Sequence, residues 1–414
     1  MSHAITDATR RRLIAVIFIV SSLVTAANIS FFTLMAIVAV DLSGVESAAG
    51  VPNTMGLLFR AAAAYPLGWI MGRVGRRPGL TLGLLAGAIG MAISAWAIGE
   101  ESFWLFAIGA GLAGIARGAA DLSRFAAAEV SPVDRRAKVI GWIVFAGTIG
   151  ALMGPVLVTP SVNLAEARGL VPDSGPFWIA TIILILATFL MFVFLRPDPL
   201  TISRQDDEAL AAANGDAPDE PARPLSNLLQ EWHVRLGIAA MTISQLVMVM
   251  IMVITPLHMD HQGHGTGSIS AVILAHTLGM FGLSAVTGWL IDRINPARVI
   301  VGGAALLIGA SLLSPFVVSV AGLAVALFLL GLGWNFCFVS GSALLAVGLA
   351  PADRTRIQGF SDSASAMASA LGSLSTGLLF ATGDMLLVGA VGLAFSLALL
   401  AGWLVTSQRK AIAA

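Results

Sequence analysis

The chain has 414 residues, of which 57% are hydrophobic and 11% charged, with 23 basic side chains balancing 23 acidic ones; its mean hydropathy is +0.90. A soluble domain carries about 25% charged residues, so an aqueous globular fold is excluded, and this much apolar surface needs lipid as its solvent. Zero net charge leaves no basic footprint for nucleic acid, and the lone cysteine, Cys337, excludes an intrachain disulfide.

A membrane-crossing helix takes about 20 apolar residues. Twelve stretches qualify: 13–40, 49–72, 79–98, 103–128, 138–158, 176–195, 234–258, 267–291, 298–318, 320–348, 357–382 and 384–406. The first follows Arg10, Arg11 and Arg12 and resembles a signal peptide at its start. It runs on through Phe31, Phe32 and Leu34 to Val40, too long for a cleaved leader, and is expected to remain as a span. Asn28 and Ser30 are its polar groups, with Asp41 at its external end.

The second span carries Arg60 near its centre, on the face of Asn53. The fourth carries Arg117, Asp121 and Arg124 at i, i+4, i+7, one stripe of a helix. An ionisable group at mid-bilayer costs about 2.5–3.5 kcal/mol, so each needs a partner or a function. Arg60 has no acid evident at its depth, and Asp121 cannot neutralise all three arginines, so this half holds surplus positive charge. Two readings stand. Arg117 binds an anionic or carbonyl group, or tunes proton exchange at Asp121; or the group is a structural ion network, with Arg124 snorkelling to the cytoplasm.

After the sixth span, Arg196 to His233 carries Asp206, Asp207, Glu208, Asp216, Asp219 and Glu220 among Ala and Pro. It reads as a flexible cytoplasmic linker and divides the chain into six-helix bundles at 1–195 and 234–414, joined by 196–233. The halves repeat. "GWIMGRVGRRP" at Gly68–Pro78 returns as "GWLIDRINPAR" at Gly288–Arg298, and "SPVDRR" (Pro132, Asp134, Arg135) returns as "APADRT" (Pro351, Asp353, Arg354). Two marks at nearly one offset indicate a duplicated six-helix unit. Of 23 Lys and Arg residues, Arg60, Arg117 and Arg124 lie within spans and only Arg168 lies in an odd-to-even loop. By the positive-inside rule both termini are cytoplasmic. The fold class is therefore all-α integral membrane, with twelve spans as two six-helix repeats.

In the C-terminal half, "HMDHQGHG" puts His258, Asp260, His261 and His264 in one external loop; these residue types suit zinc or nickel, but a loop that binds no metal is the preferred reading. His276 is the one histidine inside a span. It is either a proton carrier or a neutral histidine bonded to a backbone carbonyl. "GLGWNFCFVSGS" in the tenth span sets Trp334, Phe336 and Phe338 around Asn335, as pockets for flat organic molecules do; packing and lipid contact are the plainer role for such rings. Ser361, Ser365, Ser369 and Ser373 form a four-residue ladder in the eleventh span, suited to close helix packing. Asp362 is expected to pair with Arg354 or Arg356. No nucleotide-binding loop and no nucleophile–base pair is evident, so no enzyme activity and no cofactor are expected.

The residues resemble the major facilitator superfamily over essentially the whole chain. Gly68, Arg73, Gly75, Arg76 and Arg77 are similar to the family's loop signature between helices 2 and 3, which has Asp where Gly72 stands. Gly141, Gly150, Gly154 and Pro155 resemble the antiporter signature of helix 5, with Val158 and Thr159 replacing its last two glycines; the resemblance makes this run a hinge. The segment around Arg117 loosely resembles a third signature. The resemblance implies a cytoplasmic latch of Gly68, Gly72, Arg73, Arg76, Arg77, Asp292, Arg293 and Asp362, weaker at Gly72 than at Asp292. It also implies alternating access around a midplane site; the polar and aromatic groups read above from the spans themselves, Arg60, Arg117, Asp121, His276, Trp334 and Asn335, are the candidates for its solute and proton pathway.

The expected function is proton-coupled export of small, partly aromatic organic molecules by a monomer in the inner or plasma membrane. The first span has no acid at mid-depth, so neutral or anionic solutes suit the arginines better than cations. Proton-coupled uptake of an anionic or aromatic metabolite is the alternative, and a non-transporting membrane receptor or scaffold is the second.

Overall fold

The computed structural model describes residues 6–131, 136–203, 223–346, 349 and 351–413. Every regular element among them is helical. In chain order these are α1 (Asp7–Ser43), α2 (Val51–Arg73), α3 (Arg76–Gly99), α4 (Phe103–Glu129), α5 (Arg136–Ala167), α6 (Gly175–Phe194) and α7 (Trp232–His261). Next comes α8, which is broken: Thr266–Thr277 is α-helical, Leu278–Gly282 is a π-helical turn, and Ser284–Ile294 resumes the α-helix. Then follow α9 (Pro296–Leu313), α10 (Val320–Ala346) and α11 (Pro351–Ala413). α11 contains a break of its own at Gly383 and Asp384, whose backbone angles are non-helical.

Nine helices among the described residues are long and apolar enough to cross a membrane, ten if the bent α8 counts as one span. Helices answer the constraint of the solvent, because hydrocarbon offers backbone N–H and C=O groups no partner.

The chain forms two compact units. One holds residues 1–43 and 55–218, the other 44–54 and 219–414. In the first, α1 packs on α5 and α6, and α3 on α4 and α6; in the second, α7 packs on α10 and α11, and α9 on α10.

Small residues set these contacts. A methyl at Gly150 would overlap the Ser22 carbonyl, and one at Gly154 would meet Ile29, so α5 lies directly on α1. Gly141 faces open space, so the three glycines differ: two are a helix contact and one is not. Pro155 and Pro160 both lie inside α5, where each removes a backbone hydrogen bond. In the second unit the serine ladder performs the same task between α11 and α7. Ser361, Ser365, Ser369 and Ser373 are buried, the Ser361 hydroxyl meets Met241 Sδ at 3.3 Å, and Thr376 donates to the Met250 carbonyl at 2.6 Å.

The linker is more ordered at its ends than its composition implies. Leu195 and Ile202 are fully buried at one end. At the other, Leu228 of a short helix enters a core with Val234, Met241, Leu345, Leu349 and Ile357. The acidic run from Asp206 to Glu220 lies outside the described residues.

Gly150→Ala is expected to lower stability by about 1–3 kcal/mol through overpacking, while Gly141→Ala leaves it unchanged or slightly raised. Thermal unfolding of the two purified variants beside the parent checks both.

Candidate functional site

In the first unit, α2 and α4 meet where Gly114 comes against the Gly56 carbonyl, and Gly118 passes within a methyl's reach of Arg60 Cγ, 3.3 Å from where its own Cβ would stand. The glycine lets Arg60 lie along α4 and reach Asp121. Arg60 Nη2 is 2.6 Å from Asp121 Oδ2, and Arg117 Nε is 3.6 Å from Asp121 Oδ1. The expectation that Arg60 lacks an acid is corrected: its acid is Asp121, one helix away. The short approach is a contact of charges rather than an aligned hydrogen bond, since Asp121 Oδ2 accepts none.

Two guanidiniums thus share one carboxylate, two basic groups against one acid. The side chains are 42%, 34% and 32% exposed for Arg60, Arg117 and Asp121, while Asp121 Oδ2 itself is buried. Arg124, on the same stripe, lies apart with its guanidinium over the Phe125 ring at 5.0 Å. Beside the triad a small cavity is lined by Asn28, Arg117, Val24, Phe31, Ala113 and Leu184, which places the first span's amide next to one of the arginines.

The second unit holds an aromatic group. Trp334 stacks on Phe338, with centroids 4.8 Å apart and planes 20° from parallel, and Phe281 meets its edge at 6.1 Å and 72°. Trp334 Nε1 donates to Gln245 Oε1 at 2.7 Å, and Gln245 Nε2 donates to Ser369 Oγ at 2.9 Å. Gln245 was missed by sequence reasoning, although a lone amide within the apolar run of α7 is a signal of the same kind as Arg60.

Asn335 is spent on the fold. It is buried; its Nδ2 donates to the Met280 carbonyl at 2.6 Å and to Ser284 Oγ at 3.0 Å, and its Oδ1 accepts from Thr287. Met280 lies within the π-helical turn of α8 and Ser284 and Thr287 just after it, so Asn335 staples that break to α10. His276, two residues before the break, is fully buried, with its Nδ1 donating to the Leu327 carbonyl at 2.9 Å. That is the carbonyl-bonded arrangement of the plainer expectation. A charge there would have no counter-charge among the described residues.

The two copies of the loop motif close alike. Arg73 lies over Trp69 at 4.6 Å, and Arg293 over Trp289 at 5.1 Å. Each copy then turns through a residue of positive φ, Gly75 at 131° and Asn295 at 101°, and each must cap the next helix. Asn295 does so itself, accepting from the Ala297 N–H at 2.9 Å. Gly75 has no side chain, and Asp198 supplies the missing oxygens, accepting from the Arg76 N–H at 3.0 Å and the Arg77 N–H at 2.9 Å. A Cβ on Gly75 would stand 2.5 Å from Asp198 Oδ2.

Arg76 is also held bidentate by Glu129, and Arg77 donates to the Phe192 carbonyl at 2.7 Å. Gly68 and Gly72 have open space where a side chain would start. Asp292 makes no ion pair among the described residues.

Asp353, the acid of the second repeated mark, is buried and takes Arg223 of the linker at 2.5 Å. That hydrogen bond, joined by Glu231, holds the Arg223 guanidinium above its ordinary pKa. Pro132, Asp134 and Arg135 lie outside the described residues, as do the side chains of Arg354 and Arg356; Asp362 stands exposed on α11.

The placing of the external histidines in one loop is corrected in part: His258 and His261 lie in the last turn of α7, only His264 lies beyond it, and the three have separate partners. His258 accepts from Gln262 at 2.8 Å and faces Asp384 at 3.9 Å; His261 faces Glu46 at 3.8 Å; His264 meets the Val318 carbonyl at 2.7 Å. Among the described residues no group of three or more His, Cys, Asp or Glu side chains is placed to hold a metal ion.

The sequence profile of the Major Facilitator Superfamily matches residues 16–373, with a second match over 238–413. The chain is 32% identical over 371 residues to the MFS-type transporter YdeG of Bacillus subtilis (strain 168), covering 89% of this chain and 85% of that protein. It is 29% identical to the riboflavin transporter RfnT of Brucella anthropi, covering 86% of each. It is 27% identical to the multidrug resistance protein MdtG of Salmonella paratyphi A over 70% of this chain and 68% of that one. The crystal structure of a D-xylose-proton symporter superposes with a TM-score of 0.70 at 16% identity, covering 95% of this chain and 97% of that one. The chain belongs to the Major Facilitator Superfamily: it is a multi-pass membrane transporter of small solutes and not an enzyme.

Asn335→Ala is expected to cost about 1–3 kcal/mol, because it removes a buried amide that bonds the part-buried Met280 carbonyl, Ser284 and Thr287. Thermal unfolding in detergent measures the loss.

Proposed function

We propose that this major facilitator is a secondary active transporter of small organic solutes with a flat aromatic body and neutral or anionic polar groups. It crosses the plasma membrane twelve times and works by alternating access of two six-span halves, residues 1–195 and 234–414. The span count builds on the helices above. α2 is a continuous helix of 23 residues, long enough to cross although Arg60 thins its apolar character. Ile357–Leu404 is 48 residues long, about twice what one crossing takes, and it is interrupted at Gly383 and Asp384. An even number of spans puts both termini on one side, and the distribution of arginines makes that side the cytoplasm.

The observation that carries the solute class is Trp334, held in plane by Gln245 and stacked on Phe338. A ring fixed by a hydrogen bond at its edge is rigid, and flat π-systems stack on such rings at little entropic cost; at 9% exposure the Trp334 ring meets a solute only in a state of the cycle that uncovers it. The amide of Gln245 and the hydroxyl of Ser369 lie beside it for the polar rim of a solute. The riboflavin transporter among the relatives supports the same reading, since riboflavin joins a flat heteroaromatic ring to a neutral polar chain. A second reading, proton-coupled export of drugs, draws on the MdtG relative and on the helix-5 run of Gly150, Gly154 and Pro155.

Counterflow into proteoliposomes tests the proposal, with radiolabelled riboflavin and a panel of neutral, anionic and cationic aromatics. Exchange of riboflavin or an anionic aromatic is expected, and Trp334→Phe, which keeps a ring in the buried site but loses the Gln245 bond that fixes its plane, is expected to lower it several-fold, the loss of roughly 1 kcal/mol. Exchange confined to cations moves the chain to the export reading. Stoichiometric binding without counterflow makes it a receptor.

A further inference from the structure

The arginines at the rim of the first unit are unevenly served. Glu129 grips Arg76 with both oxygens, and Asp198 spends its carboxylate on the backbone N–H groups of Arg76, Arg77 and Leu200. That leaves Arg12, Arg77 and Arg196, none of which meets a carboxylate among the described residues. We infer that these three arginines, gathered at one end of the seam between α3 and α6, bind the phosphodiester of an anionic phospholipid whose acyl chains lie along the two helices. The site holds whatever solute is carried, since it uses none of the groups assigned to the solute.

The arginines converge on Phe192. The Arg77 guanidinium lies 4.5 Å from the centre of its ring and that of Arg196 lies 5.9 Å from it, while Arg77 Nε donates to the Phe192 carbonyl at 2.7 Å. Arg12 donates through Nη2 to the Arg196 carbonyl, which brings the start of α1 to the same place. A guanidinium resting on a ring gives its face to the π-cloud and keeps its N–H edge for an acceptor. Arg77 and Arg12 have each engaged one nitrogen, and the Arg196 guanidinium makes no hydrogen bond among the described residues. Two like charges on one ring also repel, and an anion between them removes that cost.

The seam selects a lipid among anions. Leu82, Leu85 and Ile89 form an exposed stripe on α3, and Ile182, Ile185 and Phe189 form one on α6; the two helices pack on each other. Phe192 stands one turn beyond Phe189, half exposed at the end of the second stripe. A ligand that spans both the arginines and the stripes has a charged head and apolar tails, whereas free phosphate leaves the stripes unused. A zwitterionic lipid brings an ammonium group as well, and the oxygens of Asp198 and Glu129 that could receive it are already engaged. An anionic phospholipid brings only the missing charge, and guanidiniums take phosphate oxygens as a fork. Basic pockets between membrane helices hold such head groups in general.

The duplicated half provides an internal contrast. Pro296 and Ala297 follow Asn295 where Arg76 and Arg77 follow Gly75, so the equivalent turn has no guanidinium to offer. Arg298, one position on, is exposed and makes no ring contact among the described residues. It serves as the control for charge without a site.

The test uses the full-length protein in neutral detergent, with phosphatidylglycerol and phosphatidylcholine of identical acyl chains, and glycerol 1-phosphate as the head group alone. Native mass spectrometry counts the lipids retained by the parent and its variants. One phosphatidylglycerol is expected to bind about tenfold more tightly than phosphatidylcholine. Arg196→Gln, which removes no hydrogen bond from the fold, is expected to weaken phosphatidylglycerol about fivefold, and Arg77→Gln combined with it roughly twentyfold. Phosphatidylcholine is expected to be unaffected by either change, and Arg298→Gln to alter neither lipid. Equal retention of the two lipids, or full retention of phosphatidylglycerol in the double variant, overturns the inference. An equal loss in Arg298→Gln overturns it too, by reducing the effect to surface charge. Displacement of the lipid by excess glycerol 1-phosphate overturns the assignment to a lipid and makes the arginines a free-phosphate site.

Discussion

Close approach between helices is the interaction on which the rest of this protein depends. In lipid, packing one leucine against another gains nothing over packing it against an acyl chain, so helices associate only where their backbones come near enough for dense contact and polar bonds. Glycine and serine provide that nearness: Gly150 and Gly154 for α1 on α5, Gly56 and Gly114 for α2 on α4, and the serine ladder for α7 on α11. The functional geometry is a by-product of the same contacts. Arg60 reaches Asp121 because Gly118 has no side chain in the way, and Gln245 meets both Trp334 and Ser369 because α7 lies close to α10 and α11 at once.

The polar groups within the helices divide into two kinds. Asn335 and three of the ladder serines, Ser361, Ser369 and Ser373, are buried with their bonds made inside the fold, and they hold structure in place: Asn335 fastens a broken helix, while Ser373 donates to the Gly50 carbonyl. The arginines of the triad are open and share a single acid. Satisfied polar groups rigidify, whereas partly satisfied ones keep a capacity for another partner. By that division the triad keeps a capacity for another partner, whereas Trp334, buried with its Nε1 bonded to Gln245, is held as a rigid part of the fold in this state.

Much of this was legible in the sequence. Composition specified the solvent, the run lengths specified helices, and the recurrence of Gly-Trp-x-x-x-Arg marked turns that prove alike in the stacking of Arg73 on Trp69 and Arg293 on Trp289. What escaped were partnerships across long separations. Arg60 and Asp121 are 61 residues apart on different helices, and depth read along single spans placed them at different levels. The role of Asn335 could not be read because it depends on the break at Leu278–Gly282, which an unbroken apolar run conceals. Asp198 sits in a stretch that composition marks as linker, yet it is the cap of α3. Gln245 was within reach: one amide in an apolar span is as costly as a charge is conspicuous.

The cap of α3 has a historical consequence. At the equivalent turn of the second half, one residue provides both the unusual backbone angle and the capping oxygen, so Asn295 can be judged alone by selection. In the first half those duties are divided between Gly75 and Asp198, 123 positions apart, and the space vacated by one is filled by the other. Neither can readily drift first: a side chain at 75 expels the carboxylate, and loss of the carboxylate leaves the helix start bare. Such a pair is expected to change together or not at all, so the end of the sixth span and the turn after the second evolve as one unit, while their counterparts in the duplicated half remain free to diverge separately.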